Sequence, residues 1–119
     1  MQDFRQLKVW KKAHSLVLEA YRVTATFPRD ELYGLTSQLR RAAASIPSNV
    51  AEGCGRGTDA DFARFVQIAL GSSSELEYWL LLSRDLEMLD PRAYQAIDMK
   101  VTEVKRMLAS FLHKLRAES

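Results

Sequence analysis

Apolar residues recur along this chain with the period of an α-helix, and no stretch sustains the two-residue alternation of a half-buried strand. Pro28, the Gly53–Gly57 cluster and Pro91 divide the pattern into four segments. The last is the most regular. Tyr94, Ile97, Val101, Val104, Leu108, Phe111 and Leu115 are spaced 3, 4, 3, 4, 3 and 4 residues apart, a heptad seam that calls for neighbours crossing at a shallow angle. Asp90 is placed to cap this segment, with Pro91 at its first helical position. Four such segments with short joints predict an all-α, up-and-down antiparallel four-helix bundle, a single domain over residues 1–119.

The first helix is expected from about Phe4 to Thr26, closed by Phe27-Pro28 because a residue before proline is pushed out of helical geometry. Trp10, Ala13, His14, Val17, Ala20, Tyr21 and Thr24 share one face of it, and Lys8, Lys11, Lys12, Ser15, Glu19 and Arg22 the other. The second helix is expected from near Leu32 to Gly53, with Gly53 as a left-handed cap and Leu35, Leu39, Ala42, Ile46 and Val50 as its core row. Pro47 lies inside that row. It removes one amide and strands the carbonyl of Ala43, so a bend or break of the helix is expected, with Ser48 and Asn49 at hand for the freed carbonyls. Thr58 is a good cap for the third helix, with Asp59 and Asp61 favourably placed in its first turn.

That third helix departs from the amphipathic rule. Leu76 and Leu80 lie on one face with Trp79 and Leu86 beside them, while Tyr78, Leu81, Leu82 and Leu89 spread round the far side. A helix apolar nearly all round is buried on more than one side. Tyr78, Trp79, Leu81 and Leu82 are therefore candidates for a subunit interface of a homo-oligomer, the alternative being a thickened core within one chain. The small run Ala69-Leu70-Gly71-Ser72-Ser73-Ser74 permits close backbone approach.

Composition adds bounds. Its 119 residues, 47% hydrophobic and 27% charged, suit one globular domain. One cysteine, Cys54, cannot form an internal disulfide and fits a reducing, cytoplasmic setting. No signal-peptide core begins the sequence, and the longest apolar run, Tyr78 to Leu82, is too short to cross a bilayer, so no membrane partner is expected. The net charge of +2 is unevenly spread. Residues 59–90 hold two basic and seven acidic side chains, whereas residues 1–30 and 91–119 each hold six basic and three acidic. Charge complementarity between helices accounts for this, and so does a basic surface offered to a polyanion.

Candidate chemistry is sparse. Lys11 precedes His14 by three residues and Ser110 precedes His113, so the Glu-x-x-His of di-iron bundles is missing. One cysteine and two scattered histidines do not make a zinc site. His14, one turn after Trp10, reads as a buried core histidine, and His113 as exposed. Gly53-Cys54-Gly55-Arg56-Gly57 lacks the Gly-Lys-Ser/Thr ending of a phosphate loop and reads as a turn, although Arg56 can attract an anion there. Arg40 and Arg41 reach the polar side of the second helix, either for ion pairs, Arg40 with Glu52 or Arg41 with an acid of the third helix, or for phosphate contact or partner docking. Lys8, Lys11 and Lys12 form a basic stripe without interleaved aromatics.

Phe4 with Leu7-Lys8-Val9-Trp10, Phe27-Pro28-x-x-Glu31-x-Tyr33-Gly34-Leu35-Thr36, and Gln38-Leu39-Arg40-Arg41-Ala42-Ala43 together form a familiar pattern. Ser45-Ile46-Pro47-Ser48-Asn49-Val50-Ala51-Glu52-Gly53 and Gly71-Ser72-x-x-Glu75-Leu76-Glu77 extend it. Over nearly its whole length the chain resembles the four-helix-bundle family first named for proteins encoded in intervening sequences of 23S ribosomal RNA. That family includes the accessory variability determinant of diversity-generating retroelements. The resemblance implies an up-and-down bundle assembling into a ring-like homopentamer. In the retroelement branch it implies a basic surface for nucleic acid and a reverse transcriptase. It carries over no catalytic residue and no cofactor.

The expected protein is thus a non-enzymatic homo-oligomer that binds RNA, DNA or a nucleoprotein partner. Lys8, Lys11, Lys12, Arg40, Arg41 and Arg56 are its candidate contacts. The alternative is a protein–protein scaffold with no nucleic-acid role.

Overall fold

The computed structural model describes residues 3–118 and contains four long helices, with no strand among those residues. They are α1 (Lys8–Thr24), α2 (Leu35–Cys54), α3 (Asp59–Asp85) and α4 (Pro91–Glu118). Each packs on two neighbours in a closed square, α1 on α2, α2 on α3, α3 on α4 and α4 on α1. Ties between them run in opposite chain directions: Lys12 to Glu103 and Glu19 to Lys100, Glu77 to Lys105 and Gln67 to Arg116. The result is an up-and-down antiparallel bundle 45 Å long.

Local sequence accounts for the helix ends. Asp3 caps a short 3₁₀ turn (Phe4–Gln6) by accepting from the Arg5 amide at 3.0 Å, and extended Leu7 separates that turn from α1. The first helix therefore starts at Lys8, not Phe4. Between α1 and α2 a second 3₁₀ turn (Arg29–Glu31) delays α2 to Leu35, three residues later than periodicity indicated. Glu31 explains the delay, since its Oε1 accepts from the Leu35 amide at 3.1 Å and so serves as a remote cap. Thr58 and Asp90 cap α3 and α4 as expected, accepting from the Asp61 and Ala93 amides at 3.2 and 3.0 Å.

The core rows of α2 and α4 are those read from the sequence, with Tyr94 and Phe111 half-buried and Leu112 added. On α1 the buried row is Val9, Ala13, Leu16, Ala20 and Thr24, a face rotated from the predicted one. His14 is exposed, stacked on Trp10 with ring centroids 5.0 Å apart, and Tyr21 is 47% exposed. Trp10 and Val17 pack against the core half-buried, whereas His14 and Tyr21, rings with a polar end that tolerate a wet position, do not belong to it.

Two further expectations are corrected. Gly53 is not a left-handed cap: it lies inside α2, and the capping residue, Gly55, has φ −83°. What Gly53 supplies is space, because a Cβ there would sit 2.8 Å from Phe62 Cδ1 and 2.9 Å from Phe65 Cβ. Leu89 does not lie on the far side of α3. That helix stops at Asp85, Glu87 takes a left-handed φ of 62°, and the amides of Met88 and Leu89 turn back to the Ser83 carbonyl. Leu89 thereby swings into the core at 4% exposure.

Pro47 is buried within an uninterrupted α2. The side chains of Ser48 and Asn49 do turn back to the backbone, but to the carbonyl of Ser45, at 3.2 and 2.8 Å. Asn49 also donates to Ser45 Oγ, which in turn meets Ser72 Oγ of α3 at 2.8 Å. The polar cluster beside the proline thus ties α2 to α3.

Candidate nucleic-acid interface

The residues able to contact a ligand gather where α1 ends and α2 begins. A surface cleft of about 370 Å³ is lined there by Tyr21 of α1, Leu32 and Tyr33 of the connection, and Thr36, Ser37, Arg40, Arg41 and Ala44 of α2. Helical spacing brings Ser37, Arg40, Arg41 and Ala44 to one side of α2, the turn before it adds Tyr33, and the antiparallel return of the chain adds Tyr21. Tyr33 is 92% exposed, the most open large hydrophobic side chain among the described residues.

Arg40 does not reach freely into solvent as the sequence suggested. Its Nε donates to Thr24 Oγ1 at 2.8 Å, and its guanidinium lies 4.5 Å from the centroid of the Tyr21 ring. Thr24, 2% exposed, passes its own proton to the Ala20 carbonyl at 2.7 Å, so the arginine is anchored to the end of α1. The Arg40–Glu52 pair is absent because the two stand about 18 Å apart along α2, and Glu52 meets Arg56 one turn on, at 3.3 Å. Arg41, next door, is exposed. One guanidinium is thus held rigid on an aromatic ring and another stands beside it, with hydroxyls and an open tyrosine round them. Such a set can grip a phosphate and stack a base.

The other candidate cations are scattered. Lys8, Lys11 and Lys12 are all exposed on α1, but Lys12 meets Glu103 of α4 at 3.4 Å. Arg56 is held both by Glu52 and over the Phe65 ring at 4.9 Å. These four lie towards the other end of the bundle from Arg40 and Arg41. Helical periodicity could not reveal the cleft, since Tyr21 comes from α1 and Tyr33 from a connection outside any helix; the high density of distinctive residues from Tyr33 to Arg41 was the available signal.

Of the interface candidates, Trp79 and Leu82 pack against the core, with Trp79 Nε1 donating to Glu75 at 3.2 Å. Tyr78 is 54% exposed and Leu81 half-buried. Ile68 and Gly71 are open on the same outer side of α3. Cys54 is buried, and burial pushes its thiol up, with the Asp3 carboxylate acting in the same direction, so the thiolate is disfavoured. Among the described residues no cluster of His, Cys, Asp and Glu is able to hold a metal, and no helix is long and apolar enough to cross a membrane.

The fold is that of an all-α four-helix bundle. A family model described as 23S rRNA-intervening sequence protein matches residues 5–110, and the chain belongs to that family. The bundle is also similar to the crystal structure of a protein of unknown function from the S23 ribosomal protein family of Bacteroides thetaiotaomicron. The TM-score is 0.79 at 26% identity, over 87% of this chain and 97% of that one. No curated protein matches.

Proposed function

We propose that this protein is a non-enzymatic, cytoplasmic homo-oligomer that binds the phosphate backbone of RNA or DNA, each subunit contributing the Tyr21–Tyr33–Arg41 cleft. The single observation that carries the reading is the nearly complete exposure of Tyr33 beside an anchored and an unanchored arginine. A ring left in water forgoes its burial energy, and a planar face flanked by guanidinium groups suits a stacked base between two phosphates. Association of subunits is supported by Ile68 and Tyr78, 43% and 54% exposed along the outer side of α3. One cleft is weak, and a symmetric assembly repeats it, so avidity rises without further contacts.

Anisotropy with single-stranded RNA and DNA across a salt series tests the binding. Affinity is expected to fall steeply with salt and to depend little on sequence. Arg41→Glu and Tyr33→Ala are the informative variants, because Arg40 also holds α1 to α2. Tyr33→Ala is expected to cost about 1–3 kcal/mol of binding. No binding at low salt, or indifference to both variants, overturns the reading. Light scattering that gives a 13.6 kDa monomer at micromolar concentration overturns the assembly.

A second reading, a protein–protein scaffold, is favoured by the number of cations already neutralised within the chain: Lys12 by Glu103, Arg56 by Glu52, Lys105 by Glu77 and Lys100 by Glu19. Salt-insensitive behaviour with no affinity for nucleic acid is its signature.

A further inference from the structure

At the opposite end of the bundle the start of α1 and the second half of α4 leave a surface groove of about 530 Å³ between them. Its floor is apolar: Leu7 and Val9 on one side, Met107 and Phe111 on the other. Phe111 is only half-buried although its ring meets Phe62 edge-on with centroids 5.1 Å apart, so the floor is firm on that side. Met107 beside it is adaptable. The rim is cationic. Lys8 stands on the α1 wall, and Arg106 and Lys114 stand on the α4 wall, all three exposed. None of them is in an ion pair with a described side chain, whereas most acidic residues of the acidic third helix already have cationic partners: Glu77 with Lys105, Asp61 with Arg64, Asp85 with Arg84.

From this juxtaposition we infer that the α1–α4 groove docks an acidic amphipathic helix of another protein, its apolar stripe on Leu7, Met107 and Phe111 and its flanking carboxylates on Lys8, Arg106 and Lys114. Charge complementarity names the flanks and the apolar floor names the stripe. Arg106 and Lys114 are eight residues apart, about 12 Å along the helix axis, which matches acidic residues two turns apart on a helical ligand. A nucleic-acid backbone would use the cations and leave the floor uncovered. A second copy of this chain is a poor occupant because three of the five acids of its α3 are already in ion pairs and Glu75 accepts from Trp79. The inference does not depend on the phosphate-binding reading, whose Arg41 and Tyr33 lie at the other end.

The test is fluorescence anisotropy of the whole protein with a labelled designed helix carrying a leucine stripe flanked by glutamates. Controls are the same peptide with lysine for glutamate, the same composition with the stripe scrambled, an oligouridine and phosphatidylglycerol vesicles. The glutamate peptide is expected to bind, the other two peptides at least about tenfold more weakly. Arg106→Glu with Lys114→Glu is expected to weaken the glutamate peptide about tenfold or more, and so is Met107→Glu, while Arg41→Glu leaves it unchanged. An inert glutamate peptide, equal binding of the scrambled one, or affinity confined to oligouridine or vesicles overturns the inference. Indifference to Met107→Glu does so too, since simple charge attraction would survive that change. Circular dichroism of each variant confirms that the bundle is intact.

Discussion

Where α2 meets α3, small residues hold the contact: Gly53 under Phe62 and Phe65, Ser45 against Ser72, and buried Ala42, Ala43, Ala69 and Ser73. Where α1 meets α4, long charged side chains span the outside, Lys12 to Glu103 and Lys100 to Glu19, and an open groove remains at one end. The first seam has little room for a change of size. The second leaves side chains and space to a ligand. A closely packed seam and a more open one thus lie on two sides of one bundle.

The sharpest way to break this contrast is to delete volume on each side. Ile46→Ala, at a fully buried position of α2, is expected to cost about 2–5 kcal/mol in urea denaturation. Met107→Ala, half-buried on the groove, is expected to cost about 1 kcal/mol or less. Equal losses would show the two seams to be alike.

Adding one methyl group sharpens the same comparison. Gly53→Ala is expected to destabilise by about 1–3 kcal/mol, since its Cβ has nowhere to go against Phe62 and Phe65. Gly71→Ala on the outer side of α3, where a Cβ meets nothing within 4 Å, is expected to stabilise the isolated subunit by about 0.5–1 kcal/mol. If α3 associates through this side, Gly71→Ala also alters assembly, and light scattering separates the two effects.

The smallest effect is electrostatic. The hydrogen bond from Lys100, 2.8 Å long, holds the Glu19 carboxyl below its ordinary range against the opposing influence of burial, with Lys100 and Arg22 charges assisting. A carboxylate with a lowered folded-state pKa contributes stability above its unfolded value, near 4.3, and loses it as pH falls through the folded value. Glu19→Gln is therefore expected to be less stable than wild type at pH 7 by a few tenths to about 1 kcal/mol. The difference should close on acidification below pH 4 in denaturation curves. A gap that persists in acid would assign Glu19's role to packing.

Most of the architecture was legible along the chain. The α4 seam, the α2 core row and the caps at Thr58 and Asp90 all follow from local spacing and side-chain chemistry. The misreadings have physical causes. His14 and Tyr21 misplace the α1 face because such rings accept exposure. Leu89 was assigned to α3 because nothing in periodicity announces that a glutamate, not a glycine, will turn left-handed at position 87. Gly53 was read as a cap because a helix-terminal glycine serves two ends, conformational freedom and close packing, and spacing does not distinguish them.

By itself the sequence determined four helices, their order and most of their inward faces, because these depend on residues within a few turns of one another. Only the tertiary structure decided which surface residues act together. Tyr21 meets Arg40 across nineteen positions and Lys8 lies across the groove from Lys114, more than a hundred positions away. Such neighbours are made by the antiparallel packing of whole helices, and no local periodicity encodes them.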